Sequence, residues 1–376
     1  MRITLLMAST AAAASFLTTL WVVRQGAKRS RWLDQSHQAG PQKFHAAPVP
    51  RVGGVGVYAG LWLAAGAAWW AGWADATLAL LLLACAVPAF AAGLLEDLTK
   101  KVTPRMRLLA CGVSAGLALL ALGAQISRAD VEWLDDLVAW APWLTVALTV
   151  VGVAGVASSV NIIDGFNGLA SMCVMLILLA VAFVAWHVGD LVVMRLALAC
   201  VAAVLGFFLL NYPAGLIFLG DGGAYFLGFM VAELAILLVH RNADVSPMFG
   251  LMVCVYPIFE TLFSMVRRKL RRGRRRATWE PDGIHLHSLL FRRVVRWAVG
   301  GARNAKALNR RNSMTSPYLW ALCGLSILPA VSFYDDTEVL LLCLLAFSVL
   351  YVGLYLSIVR FKTPRWLFWL GRLMRR

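Results

Sequence analysis

The chain has 376 residues, of which 61% are hydrophobic and 14% are charged. A soluble domain is nearer half apolar and a quarter charged, so this composition excludes an ordinary soluble protein. The net charge is +16, which in a soluble protein would suggest nucleic acid. Here the basic residues flank apolar segments, and this distribution favours the lipid bilayer over nucleic acid as the partner.

Apolar segments recur along the whole chain, and each is long enough to cross a bilayer as a helix. We therefore predict an all-α polytopic membrane protein that forms one domain over residues 1–376. About eleven spans are expected, at 3–23, 53–73, 77–95, 106–124, 141–160, 168–187, 191–210, 224–240, 247–266, 317–334 and 338–359. The first apolar segment lacks a signal-peptide cleavage pattern and is expected to stay as a helix.

Lysine and arginine are concentrated in alternate connections. Nearly all of them fall in 24–52, 96–107, the long loop 267–316 and the tail 360–376. The positive-inside rule makes that face cytoplasmic, with a periplasmic N-terminus and a cytoplasmic C-terminus. A multi-pass protein of the bacterial inner membrane is expected.

Four acidic residues lie at predicted helix ends on this same basic face, in glycine-containing connections. They are Glu96, Asp97, Asp164 and Asp221. Carboxylates at a membrane boundary are more often functional than decorative. Mg²⁺ prefers one or two carboxylates together with water and substrate phosphates. Asp164 alone reads equally well as a plain Asp-Gly turn, but four acidic residues together favour a metal–phosphate site.

Two further segments on this face carry groups that suit phosphates. Lys43, His45 and Arg51 lie in the loop before the second span, and His285 and His287 lie in the long basic loop. The two histidines match no zinc spacing, so contacts to phosphate or sugar are favoured over metal ligation. A structural role for either histidine stays open.

The acidic and histidine-containing segments on this face form five motifs. These motifs resemble those of the polyprenyl-phosphate N-acetylhexosamine-1-phosphate transferases of glycosyltransferase family 4. They occur in the family's order over roughly residues 30–300. The matching residues are Lys43, His45, Pro48, Pro50, Gly53 and Gly54; Gly93, Glu96 and Asp97; Asn161, Asp164, Gly165, Asn167, Gly168 and Leu169; Asn211, Pro213, Ala214, Phe218, Gly220, Asp221 and Gly223; and His285 and His287.

The resemblance implies transfer of a HexNAc-1-phosphate from a UDP-sugar to undecaprenyl phosphate, with release of UMP. It implies Mg²⁺, with Mn²⁺ as an alternative, held by Asp221 and Asp164. Catalytic roles are expected for Asp97, Glu96 and Asp164, and the sequence leaves open a one-step transfer and a two-step route through a covalent aspartyl intermediate. Substrate-binding roles are expected for Lys43, His45, Asn161, Asn167, Asn211, Phe218, His285, His287, Arg292 and Arg293, with Phe218 stacking on the uracil.

Two departures from the family pattern stand out. Glu96 replaces the usual first aspartate, and Ala224 stands where many members have serine. A triple-histidine run of the peptidoglycan enzyme is absent, which favours a UDP-HexNAc donor and the branch that initiates O-antigen or teichoic-acid synthesis. A phospho-MurNAc-pentapeptide transferase is the first alternative.

A membrane transporter is the alternative from another class. Transporters place charged groups near the membrane midplane, often within internal repeats. Here Glu233 is the only acidic residue near the middle of a span, and no repeat is found. The sequence leaves the oligomeric state open, a homodimer included.

Overall fold

A computed structural model describes residues 1–26, 33–34, 48–270, 284–296 and 304–362. Two short strands pair in antiparallel fashion, Leu33–Asp34 (β1) and Val49–Pro50 (β2). The helices are Arg2–Gly26 (α1), Gly54–Trp70 (α2), Ala76–Cys85 (α3), Val87–Thr99 (α4), Pro104–Leu122 (α5), Glu132–Trp140 (α6), Trp143–Ile163 (α7), Leu169–His187 (α8), Leu191–Asn211 (α9), Gly220–Arg241 (α10), Pro247–Val253 (α11), Val255–Leu270 (α12), Leu286–Leu289 (α13), Ala305–Ser332 (α14) and Thr337–Val359 (α15). A π-helical segment, Leu290–Val295, follows α13.

The predicted all-α, multi-pass architecture is confirmed. Among the described residues, eight helices are long and apolar enough to cross a membrane, and ten spans result if each of two bent pairs counts as one. The bent pairs are α3 with α4, at 44°, and α11 with α12, at 71°. The orientation of the termini remains a prediction.

The prediction of about eleven spans differs from this count at 53–73. Helix α2 ends at Trp70 and is 17 residues long, so it falls short of a full span by that criterion. Gly72 adopts a left-handed conformation with φ of +74°. The amide of Trp73 then bonds the carbonyl of Ala68, a pattern that ends helices.

Helix α14 begins twelve residues earlier than the predicted span 317–334. Its first turn is capped by Asn304, whose Oδ1 accepts a hydrogen bond of 2.8 Å from the amide of Ala307. Residues 305–316 are polar and basic, so hydropathy alone placed the start at Pro317. The extension places polar side chains beside the α7–α8 connection and the α9–α10 connection.

Helix α10 lies at the centre of the bundle, where it packs against α2, α4, α7 and α8. It is almost entirely buried. Small residues permit this packing: a Cβ atom added at Gly228 would lie 2.5 Å from the Cα of Ala157 in α7. Close backbone approach at small residues is typical of helix association in lipid.

The segment that follows β2 lies across the α9–α10 connection. The amide of Phe218 donates to the carbonyl of Pro50 at 2.8 Å, and the amide of Gly53 donates to the carbonyl of Phe218 at 2.9 Å. These two bonds fix Arg51 beside the start of α10.

Candidate active site

Asp97 is held at the first turn of α10. It lies in the last turn of α4, is 5% exposed, and its Oδ2 accepts a hydrogen bond of 3.0 Å from the amide of Gly222. A carboxylate at a helix N-terminus is stabilised by the amides and the dipole of the helix. Its second oxygen, Oδ1, is buried and has no hydrogen-bond partner among the described residues.

Asp221 lies one residue before Gly222 and faces two guanidinium groups. Arg107, from α5, forms an ion pair with its Oδ2. Nη2 of Arg51 lies 3.8 Å from its Oδ1. The start of α10 therefore brings two carboxylates and two cations together.

Asp164 is the third carboxylate at this place, and we call Asp97, Asp164 and Asp221 the acidic group. It directly follows α7, and its charge interacts with those of Asp97 and Arg51. Desolvation raises the pKa of Asp164 to about 7, even though the positive charge of Arg51 acts in the opposite direction. A bound cation would favour the ionised form of this carboxyl group.

Glu96, predicted to be catalytic, makes a different contact from that of its neighbour. Its Oε2 accepts a hydrogen bond of 2.9 Å from the amide of Val102. This bond closes the turn between α4 and α5. A catalytic role for Glu96 remains a prediction, and Asp97 is the acid of this pair that meets the α10 turn.

Asn167 and Asn211, predicted to bind substrate, tie the connections to one another. Oδ1 of Asn211 accepts from the amide of Gly168 at 2.6 Å, and its Nδ2 donates to the carbonyl of Ile217 at 2.6 Å. Nδ2 of Asn167 donates to the carbonyl of Pro213 at 3.2 Å. Both side chains therefore position the loops on either side of α8 and α9.

The extension of α14 holds the loop that contains Asp164. Oδ1 of Asn312 accepts from the amide of Asn167 at 2.7 Å, and Oδ1 of Asn309 accepts from Asn167 Nδ2 at 2.9 Å. Ser316 Oγ donates to the carbonyl of Asn167 at 2.6 Å. These contacts were not predicted, because the sequence placed these residues in a loop.

His285 and His287 lie in one buried stack, with ring centroids 5.1 Å apart. Nδ1 of His285 is 2.9 Å from Oε1 of Glu260, and that oxygen also accepts from the amide of Leu286 at 3.1 Å. The hydroxyl of Tyr351 donates to the other oxygen of Glu260 at 2.6 Å. Glu260 therefore anchors the histidine loop to α12 and α15.

The second histidine reaches the acidic group. A Cβ atom at Gly165 would lie 3.4 Å from Nε2 of His287, and the ring centroid of His287 is 5.5 Å from that of Phe166. The structure thus brings the histidine loop against the connection that contains Asp164.

The other predicted substrate contacts have varied environments. Nη1 of Arg293 donates to the carbonyls of Ile358 and Val359, at 2.6 and 2.7 Å, which caps the end of α15. Arg292 is exposed, Phe218 is half-buried, and Asn161 interacts with Tyr225. Lys43 and His45 lie outside the described residues. The substrate-binding roles of these residues remain predictions.

Gly220 shows how tightly the site is assembled. Its φ is +77°, and an added Cβ would overlap the carbonyl oxygen of Arg51 and lie 2.6 Å from Asp97 Oδ2. We expect Gly220→Ala to lower both the unfolding midpoint and the activity. Gly72→Ala is a matched control, since its φ is +74° with nothing within 4 Å.

The control isolates the backbone cost, about 1–2 kcal/mol for a left-handed alanine. Thermal unfolding of both variants in the same detergent checks the expectation. Equal losses for the two variants would show that crowding at Gly220 is unimportant.

Comparison with known proteins finds a family match over part of the chain. Residues 79–239 match the profile described as glycosyl transferase family 4. This chain contains a glycosyl transferase family 4 region. The region includes Asp97, Asp164 and Asp221, whereas the predicted contacts Lys43, His45, His285 and His287 lie outside it.

Several curated proteins are similar to part of this chain. A Bacillus subtilis protein named probable undecaprenyl-phosphate N-acetylglucosaminyl 1-phosphate transferase is 31% identical over 112 residues, 30% of each chain. Proteins named undecaprenyl-phosphate alpha-N-acetylglucosaminyl 1-phosphate transferase are similar too. That of Salmonella typhi is 28% identical over 30% of this chain and 31% of its own. That of Thermotoga maritima is 25% identical over 25% of this chain and 30% of its own. The matched segments thus span less than a third of these relatives.

The residues of the family 4 region fit a magnesium ion. Within the described ranges, no three histidine, cysteine or acidic side chains form a closed metal cage. Mg²⁺ does not need one, because it uses one or two carboxylates and completes its shell with water and substrate phosphates. The buried, unpartnered Oδ1 of Asp97, beside Asp164 and Asp221, is a donor of the required hard type.

Proposed function

We propose that this protein transfers a HexNAc-1-phosphate, GlcNAc or a related sugar, from a UDP-sugar to undecaprenyl phosphate and releases UMP. The observation that carries the proposal is the meeting of Asp97, Asp164 and Asp221 with Arg51 and Arg107 at the start of α10. Carboxylates for a metal and guanidinium groups for phosphates are what phosphoryl transfer needs.

The reaction is a displacement at phosphorus. An oxygen of the lipid phosphate attacks the sugar-proximal phosphorus of the UDP-sugar, and a new P–O bond forms. The bond from that phosphorus to the bridging oxygen breaks, and UMP leaves with the electron pair. Because a phosphate monoester is largely dianionic near neutrality, with a second pKa of about 6, the attacking oxygen needs orientation more than deprotonation.

The residues divide this work by chemistry. Asp221 and Asp164 would hold Mg²⁺, which would supply charge neutralisation at the diphosphate. The charge of Asp97 beside that ion would help to orient the acceptor phosphate. Arg51 and Arg107 form ion pairs with Asp221 and lie where they can bind phosphate oxygens.

The setting follows from the same proposal. We place the site on the cytoplasmic face of the bacterial inner membrane, where nucleotide sugars occur, with the N-terminus in the periplasm. The product is a lipid-linked sugar that starts a cell-envelope polysaccharide.

The test uses purified protein with undecaprenyl phosphate, Mg²⁺ and a panel of UDP-HexNAc donors, and it measures UMP release. We expect release with one donor, loss of release with EDTA, and recovery when Mg²⁺ or Mn²⁺ is restored. Asp221→Asn is expected to lose the activity, and Asp335→Asn, at the opposite end of the bundle's helices, to retain it. No release with any donor from folded protein would contradict the proposal.

A further inference from the structure

One arginine on the extension of α14 has no counter-charge among the described residues. Arg311 is 6% exposed, and its Nε is fully covered without a hydrogen-bond partner within the described ranges. In the part of the chain that the structure describes, its guanidinium meets no carboxylate or hydrogen-bond acceptor. The guanidinium lies over the ring of Phe291, whose centroid is 4.5 Å from Cζ.

A charge of the same sign acts on Arg311. Arg296, at the end of the π-helical segment, interacts electrostatically with it. Burial of a guanidinium group without a partner is unfavourable, and a second cation nearby adds to that cost. Two neighbouring cations with no acid beside them among the described residues are therefore suited to binding an anion.

The position of Arg311 relates it to the acidic group. The next residue, Asn312, binds the amide of Asn167. Phe291, which covers the guanidinium, lies 5.4 Å from Phe166 between ring centroids. Arg311 thus adjoins the connection that contains Asp164, on the face where we place the substrates.

We propose that Arg311 and Arg296 form a phosphate-binding subsite where α14 meets the π-helical segment. Arginine binds phosphate oxygens through two parallel N–H donors, and Phe291 keeps the guanidinium plane in place by stacking. The phosphate belongs either to the nucleotide sugar or to an anionic phospholipid headgroup at the same face. The first source rests on the proposed function, whereas the subsite itself does not.

The test compares Arg311→Gln with Arg310→Gln in protein reconstituted into phosphatidylcholine nanodiscs. Arg310 is the adjacent residue and is exposed, so the control removes the same charge from the same helix. Inorganic pyrophosphate is titrated, and the unfolding midpoint is recorded. We expect pyrophosphate to stabilise the wild type and Arg310→Gln, and its apparent affinity to fall about ten-fold or more in Arg311→Gln.

The ligand-free midpoints separate a binding role from a structural one. Loss of an unpaired buried charge should leave the midpoint of Arg311→Gln unchanged or raised, whereas loss of a structural arginine would lower it. If Arg311→Gln is poorly folded, Arg311→Lys replaces it, and part of the pyrophosphate response should remain because the charge is kept.

A second arm identifies the source of the phosphate. Nanodiscs that contain phosphatidylglycerol are compared with neutral ones without pyrophosphate. Stabilisation by the anionic lipid that Arg311→Gln alone loses assigns the subsite to a headgroup, and a response to pyrophosphate alone assigns it to the nucleotide sugar. Identical behaviour of the two variants in both arms would overturn the subsite, whatever the transferase assay shows.

Discussion

Replacement of Asp97 by asparagine should reduce the rate of UMP release by about 10²–10³-fold with little change in fold, the size of effect seen when one charge-stabilising group is lost from an active site. The amide oxygen of asparagine can still accept the bond from Gly222. The NH₂ group of the asparagine would replace Oδ1 of Asp97, and it binds neither a metal ion nor the cationic groups of the site. The fold is retained while the negative charge and one buried acceptor oxygen are lost.

Glu96→Gln is the matched control for this experiment. It neutralises the adjacent acid of the same helix end, and its amide oxygen can still accept from the amide of Val102. We expect a smaller loss of activity than in Asp97→Asn, because the contact that Glu96 makes closes a turn; a loss of the same size would support the catalytic role that its motif predicts. UMP release and the unfolding midpoint are measured for both variants. Loss of activity in Glu96→Gln with retention in Asp97→Asn would reverse the roles assigned to the two acids.

Replacement of Glu260 should impair the site from a distance. Glu260→Ala leaves the hydroxyl of Tyr351, the amide of Leu286 and Nδ1 of His285 without their acceptor. Each unsatisfied buried group costs about 1–3 kcal/mol, so the unfolding midpoint should fall clearly. Activity should fall about 10²-fold, since the histidine loop packs against the Asp164 connection and a displacement of about 1 Å has that effect.

Glu260→Gln separates charge from stability. The carboxylate accepts a hydrogen bond from Nδ1 of His285, which leaves Nε2 of the neutral ring as an acceptor. In Glu260→Gln the amide oxygen can keep the bonds from His285 and from the amide of Leu286, and the NH₂ group can donate to the hydroxyl of Tyr351. The geometry is then kept, and the negative charge beside the stacked histidines is lost. We expect a lower kcat and a changed pH–rate profile with a nearly normal unfolding midpoint.

Tyr351→Phe is the companion variant, because it removes one hydrogen bond to Glu260 and leaves the pair with His285. It should affect stability more than the pH profile. If Glu260→Gln has the profile and kcat of wild type, then the charge of Glu260 does not act on the histidine pair, and Glu260 supports the fold alone.

Much of the architecture could be predicted from the sequence because apolar length is a local property. The predicted spans coincide with single helices or with bent pairs, although the bends at Ala86 and Cys254 were not expected. Hydropathy fails where polar residues continue a helix, as at the start of α14. The cap at Asn304 is a better signal there than the proline at 317, which the helix includes.

The motifs predicted which residues form the candidate site, whereas the contacts that each of them makes depend on the tertiary structure. Asp97 and Glu96 are adjacent, yet successive residues of a helix point in different directions, and only Asp97 faces the turn of α10. Asn167 and Asn211 resemble substrate contacts in a motif, but the structure uses their amides to join loops. Arg107 was predicted as one of many basic loop residues, and its ion pair with Asp221 depends on the packing of α5 near α10.

The order of residues alone therefore predicts an all-α membrane protein and the acidic connections that share one face, because span length and charge distribution are properties of the sequence. The tertiary structure is needed to show which carboxylates meet, which polar residues join the loops, and where Glu260 and Arg311 lie. Such contacts join positions far apart in the chain, 125 residues in the case of Asp97 and Gly222. Only the packing of the helices against one another brings these groups within hydrogen-bonding distance.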